Sequence, residues 1–179
     1  MLDEAGRPRA ARQPDVPVTA AGRVGQRTLV AIHDHQRGEL GRLREAVAEV
    51  AAGGADPAAA RSLINRMTMR QNYWSLGAFC AAYCRVVTMH HLIEDERLFP
   101  DVRAGDPGLG PVLDRLAQEH EVIAGMLTDL DAALVALVAG SGTAEVRGRL
   151  ATFADALESH LAYEESELLE PIGRLGVPI

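Results

Sequence analysis

The sequence predicts an all-α protein, an up-down-up-down four-helix bundle, and three observations carry that expectation. Ala, Leu and Val dominate while aromatic residues make up only 4% of the 179 positions, a composition that suits helices packed through small and aliphatic side chains better than a sheet. Apolar residues recur in steps of three and four over four long stretches, the signature of amphipathic helices. Turn-forming clusters separate the last three of them, Gly105-Asp106-Pro107-Gly108 and Gly140-Ser141-Gly142-Thr143, and short connections of this kind make successive helices antiparallel neighbours. Length and a 47% apolar content fit one domain with a single core.

Residues 1–26 contain three of the nine prolines, four arginines and little apolar periodicity, and are expected to form an extended or disordered arm. The bundle is expected over residues 27–172, with 173–179 as a tail. Helix 1 is read from Thr28 to Ala52 on Leu29, Ile32, Leu40, Leu43, Val47 and Val50, broken by Gly53-Gly54. Helix 2 starts at the cap Asp56-Pro57 and stays helix-compatible to Pro100, with a break allowed near Asn72 or Gly77. Its second half carries one inward stripe, Leu76, Cys80, Tyr83, Val87, His90 and Glu94. Helix 3 is the register Leu113, Leu116, His120, Ile123, Leu127, Leu130, Leu134, Leu137, and helix 4 is Val146, Leu150, Phe153, Leu157, His160, Glu164, Leu168, ending around Pro171.

The formal charge is −7 and the pI about 5.3, so no global field draws the chain to nucleic acid or anionic lipid. Every basic residue is Arg and none is Lys, which bears little on mechanism. No apolar run approaches the ~20 residues of a membrane span and the N-terminus has no signal-peptide core; the expected location is the cytoplasm. Cys80 and Cys84, one helical turn apart, read as small core residues rather than a disulfide framework.

The polar residues on these apolar stripes carry the chemistry. The segments HHLIEDERLFP (90–100) and HLAYEESELLEP (160–171) each place a histidine four residues before a glutamate near the end of an even-numbered helix. His33 and His120 fall near the starts of helices 1 and 3. In an alternating bundle, starts of odd helices and ends of even helices share one end, so His33, His90, Glu94, His120, His160 and Glu164 converge in one layer. Residues at i and i+4 stack on one helix face about 6 Å apart along the axis, so a His can end on one metal while the Glu one turn along reaches between two. The duplicated motif is what a dinuclear centre requires. Imidazole and carboxylate without thiolate suit iron or manganese, and a metal offsets the cost of burying such groups unpaired.

His35 with Glu39 forms a third His-x-x-x-Glu copy, but His35 points well off the apolar direction of helix 1 and reads as a surface pair, so His33 is the expected ligand. His91 is read as second in line or on the surface, and Glu165, Asp95 and Glu121 as solvated. Tyr83 and Tyr163 lie near the histidines on their helices and are candidate proton or hydrogen-bond donors to a bound peroxide.

At these residues the sequence resembles the hemerythrin-like, or HHE cation-binding, family, over roughly residues 28–171. The pattern is His, then His-x-x-x-Glu, then His, then His-x-x-x-Glu, carried by His33, His90 and Glu94, His120, and His160 and Glu164. The resemblance implies two iron ions in an oxo- or hydroxo-bridged non-haem centre that the two glutamates also bridge. One departure matters. The oxygen-carrying hemerythrins use His-x-x-x-His on the third helix, whereas Ala124 stands four after His120 and Leu116 four before, so a nitrogen ligand is missing. The family's iron-sulfur repair proteins add a histidine where this chain has Gly53-Gly54. The ferritin-like pattern of Glu-x-x-His pairs at core positions is absent, as is a Cys-x-x-Cys-His haem attachment.

Three functions follow as expectations, in this order: an enzyme that decomposes hydrogen peroxide or nitric oxide, an oxygen-binding protein, and an iron or oxygen sensor. The expected partners are a small diatomic or peroxide ligand, with a homodimer or a protein partner reached through the N-terminal arm.

Overall fold

A computed structural model of the chain describes residues 2–52, 86–138 and 142–179. The described residues contain four helical segments and no strand. Helix α1 is Ala20–Ala51. Helix α2 is described over residues 86–105, comprising α-helical 86–93, a π-helical turn Glu94–Leu98 and the α-helix Phe99–Gly105. A short 3₁₀ turn, Pro107–Leu109, leads into α3, Gly110–Val138, and α4 is Thr143–Leu175. These elements are consistent with a helical bundle. The expected start of helix 2 at Asp56-Pro57, its break near Asn72 or Gly77, Cys80, Cys84 and Tyr83 all lie outside the described residues.

The apolar stripes bury as their periodicity demands, and they do so in two groups. Leu40, Leu43, Val47, Val87, Ile123, Leu127, Leu134, Phe153 and Leu157 belong to one. Leu29, Leu98, Phe99, Val102, Leu113, Leu116, Leu168 and Ile172 belong to the other. On every helix the polar core residues fall between them: His33 between Leu29 and Leu40, His90 through Glu94 between Val87 and Leu98, His120 between Leu116 and Ile123, His160 and Glu164 between Leu157 and Leu168. A polar layer is thus enclosed by apolar packing on both sides.

Three boundaries differ from the expectation, each for a physical reason. Helix α1 begins at Ala20, capped by Thr19, whose hydroxyl accepts from Gly22 N–H at 2.8 Å. Its first turns carry no large apolar periodicity because they approach α4 backbone to backbone: a Cβ on Gly22 would lie 1.9 Å from the Gly173 carbonyl oxygen. Helix α2 does not end at Pro100 but continues to Gly105. The Phe99 N–H bonds the Glu94 carbonyl five residues back, and this widened turn sits immediately before a proline that has no N–H to donate. Helix α4 runs through Pro171 to Leu175 and closes on Gly176 at φ 71, a left-handed C-cap that glycine adopts without strain. Residues 173–175 are therefore helix rather than tail, and Gly173 and Val177 are buried.

Residues 2–19 lie against α3 and α4, unlike the disordered arm expected through residue 26. Glu167 accepts from Ala10 N–H and Arg9, both at 2.7 Å, and the Ser166 carbonyl accepts from Arg12 at 2.7 Å. Arginines pairing with helix carboxylates and carbonyls hold this segment, and apolar periodicity cannot report that. No described helix is long and apolar enough to cross a membrane.

Candidate metal centre

His33, His90, His120, His160, Glu94 and Glu164 are all buried in the enclosed layer, whereas His35 is exposed. His91, expected at the edge or surface, is buried with them at 5% exposure. The ligand atoms form two groups whose members lie within 4.8 Å of one another: His33, His90, Glu94 and Glu164 in one, His91, His120 and His160 in the other. His91 stands four residues after Val87 and three before Glu94, so it flanks the same stripe as His90, and a core-facing stripe is wide enough for both. Its ring stacks on His120 with centroids 3.9 Å apart and planes at 5°. His91 thus brings a nitrogen to the second group, where Ala124 supplies none.

The glutamates connect the groups. Glu94 turns Oε1 to His90 Nε2 at 3.1 Å and Oε2 to His120 Nε2 at 3.6 Å. Glu164 Oε2 is 3.5 Å from His33 Nε2 and 3.9 Å from His160 Nε2. Each carboxylate therefore faces histidines of both groups.

Behind three histidines stand carboxylates that fix the ring. His33 Nδ1 is 2.8 Å from Glu165, which Arg37 also holds at 2.8 Å; His120 Nδ1 is 2.9 Å from Asp95; His160 Nδ1 is 3.1 Å from Glu119. A carboxylate at Nδ1 keeps a proton there and aims the Nε2 lone pair inward, the arrangement that orients metal-binding histidines. Asp95 and Glu165, expected as solvated residues, fill this role, while Glu121 is exposed. The i+1 position of each looks like a surface site within its own helix, and the partner is on another helix. Glu119 was detectable in principle, since it falls three residues after Leu116 and four before Ile123 on the buried stripe.

Burial and neighbouring charges act together on the ionisable groups of this layer. Burial raises Glu94 well above the usual carboxylate range, with the nearby Glu164 adding to the effect. Burial, reinforced by neighbouring histidines against the pull of Glu164, lowers His90 to about 4, and it lowers His91 and His160 as well. For His33 burial also pulls down, but the negative charges of Glu164 and Glu165 and the hydrogen bond to Glu165 outweigh it and raise the value. Burial opposes ionisation of Glu164 too, yet His33, His160 and His90 hold it down to about 2.

A metal fits this layer on an observation independent of spacing. His91 Nε2, His120 Nε2, His160 Nε2 and both oxygens of Glu94 and of Glu164 are buried without a hydrogen-bond partner. Such atoms are heavily penalised unless something binds them, and all of them converge on one place.

Tyr163 is placed differently from the donor role expected of it. Its hydroxyl donates to the Pro8 carbonyl at 2.8 Å, the Arg7 guanidinium lies 4.7 Å over its ring, and burial with the Glu167 and Glu119 charges raises it to about 12.

Comparison with known proteins agrees with this geometry. Searches among curated proteins and among solved structures gave no match. The family model described as the hemerythrin HHE cation binding domain matches residues 24–172, most of the chain and all of the layer. The chain belongs to the hemerythrin HHE cation-binding domain family, and such a domain implies non-haem iron binding.

Proposed function

We propose that the chain holds two iron ions in this layer and uses them to decompose hydrogen peroxide or nitric oxide. His33 and His90 would hold one ion and His91, His120 and His160 the other, with Glu94 and Glu164 spanning both. The observation that carries the reading is the convergence of unpartnered imidazole nitrogens and carboxylate oxygens between two apolar clusters. A donor set of imidazole and carboxylate without thiolate suits iron or manganese, and the family match favours iron. Iron bound here supplies electron transfer to and from a small ligand.

The chain's own residues prepare the site. Asp95, Glu119 and Glu165 hold the Nδ1 protons and keep three Nε2 atoms free for coordination. Burial holds the Glu94 carboxyl well above the usual carboxylate range, so loading a cation at this position would be coupled to proton loss. Phe99, stacked on His120 with centroids 5.5 Å apart, and the apolar clusters exclude bulk water. The reading includes up-down-up-down connectivity, supported by the order in which each helix passes its apolar and polar residues.

His91 favours a second reading, oxygen binding, because it restores a nitrogen at the second group. One experiment separates the two. Reduced, iron-loaded protein is given peroxide while oxygen release is followed, or nitric oxide with an excess of a chemical reductant as electron source while nitric oxide loss is followed, and a parallel sample is exposed to air. Turnover over many equivalents with immediate oxidation in air supports decomposition. A spectrum that forms in air and reverses on deoxygenation, with no turnover, favours oxygen binding and sinks the first reading.

A further inference from the structure

Arg7 precedes every helix of the bundle, yet its side chain is only 8% exposed. Its Nε donates to Glu119 Oε1 at 2.8 Å and its Nη2 to Glu119 Oε2 at 2.9 Å, a two-point fork that sets the plane of the carboxylate. Its Nη1 donates to Ser159 Oγ at 2.9 Å, and Arg115 Nε adds a further donor to Glu119 at 3.0 Å. The carboxylate so fixed faces His160 Nδ1.

Glu119 differs from the other two carboxylates behind the histidines. Its side chain is 2% exposed, against 22% for Glu165 and 37% for Asp95. Water can share the charge of those two, whereas a buried anion depends on protein counter-charges. The segment that delivers Arg7 is anchored on both sides of it: Ser159 Oγ donates to Glu4 at 2.6 Å, the Pro8 carbonyl accepts from Tyr163, and Ala10 N–H reaches Glu167.

We infer that Arg7 is a positioning residue of the metal centre that acts through Glu119 on His160, so that this one side chain of the N-terminal strap, residues 2–12, completes the second half of the site. The inference rests on the metal-centre reading. Without the fork, Glu119 rotates, the Nδ1 proton of His160 loses its acceptor, and the Nε2 lone pair is no longer held toward His91 and His120.

The test uses the full chain as wild type, Arg7→Ala and Arg9→Ala, loaded anaerobically with ferrous iron and titrated against a chromogenic ferrous chelator. Arg7→Ala should release one of its ions about 10–100-fold more readily, the range for losing an outer partner of a metal ligand. Arg9→Ala removes a strap contact that is 72% exposed and does not touch Glu119, so its affinity should stay within about twofold of wild type. In cobalt(II)-loaded protein, the shifted Nδ1–H resonance of His160 should exchange faster with solvent in Arg7→Ala alone. Unchanged affinity in Arg7→Ala, or an equal loss in Arg9→Ala, would overturn the inference. Should Arg7→Ala not fold, Arg7→Lys keeps a cation without the fork; severalfold weaker binding is expected, and wild-type affinity overturns it. A wild type that takes up no iron overturns the metal-centre reading itself, which is a distinguishable result.

Discussion

Glu94 has both oxygens buried without a hydrogen-bond donor, a position that favours cation binding and disfavours the empty fold. Replacing such a group with an apolar one of similar volume removes the desolvation cost. Glu94→Leu should therefore raise the stability of the metal-free protein by about 1–3 kcal/mol while abolishing iron loading. Thermal melts and iron analysis on the same samples check both halves; a less stable variant that still loads would contradict the assignment. His91→Ala should lose mainly one ion, whereas His35→Ala, at an exposed position, should load as wild type. As buried residues, His33, His90, His120 and His160 were legible in the sequence because each interrupts an apolar register in steps of three and four. His91 was not, since a single-line stripe admits one of two adjacent histidines. Asp95 and Glu165 were hidden because their partners belong to other helices.

At the scale of the element, prolines misled the sequence reading twice. A helix stop was expected at Pro100 and at Pro171, and in both places the helix continues. Proline marks a missing N–H, and whether a helix ends there depends on the surrounding turn and packing. The π-helical turn before Pro100 begins at Glu94 itself, so the irregularity and a proposed ligand occupy the same place. The α1–α4 crossing gives a sharper prediction. Gly22→Ala puts a Cβ against the Gly173 backbone, which no rotamer change relieves, and should destabilise by about 1–3 kcal/mol. Gly38→Ala meets nothing within 4 Å in the interior of the same helix and should stabilise by about 0.5–1 kcal/mol. Denaturant melts of the two variants should move in opposite directions. This crossing left no signal in the sequence, because glycines chosen for close approach look like glycines in a loop.

Among the described residues two apolar clusters are joined through a polar layer, so stability depends on what fills that layer. With iron held by the native state alone, chelation should lower stability by about 2.7 kcal/mol if free iron had stood at a hundredfold excess over its dissociation constant. Acid should act on the metal-free protein in a defined sense. His90, lowered to about 4, and His91 and His160, lowered likewise, stay neutral in the fold while the unfolded chain protonates near 6.5. His33, raised, is protonated in both states below that pH, and Glu94, raised, opposes with one proton. The lowered histidines outnumber the one raised carboxyl, so unfolding takes up protons as pH falls below 6.5 and stability falls with it. Unfolding free energies of metal-free protein across these pH values check it; a flat or rising profile toward acid would contradict the charge states. The all-helical class was legible at this scale because periodicity and turn clusters agreed. The docked N-terminal strap was not, since arginine-to-carboxylate pairing has no period.

Iron per chain, measured by mass spectrometry of the metal against amino-acid analysis with Glu164→Ala alongside, is the most direct test. The two-ion centre predicts close to two irons in wild type and fewer than about one in the variant, whose lost carboxylate faces both histidine groups. One iron per wild-type chain, zinc in its place, or the same count in both proteins would contradict it.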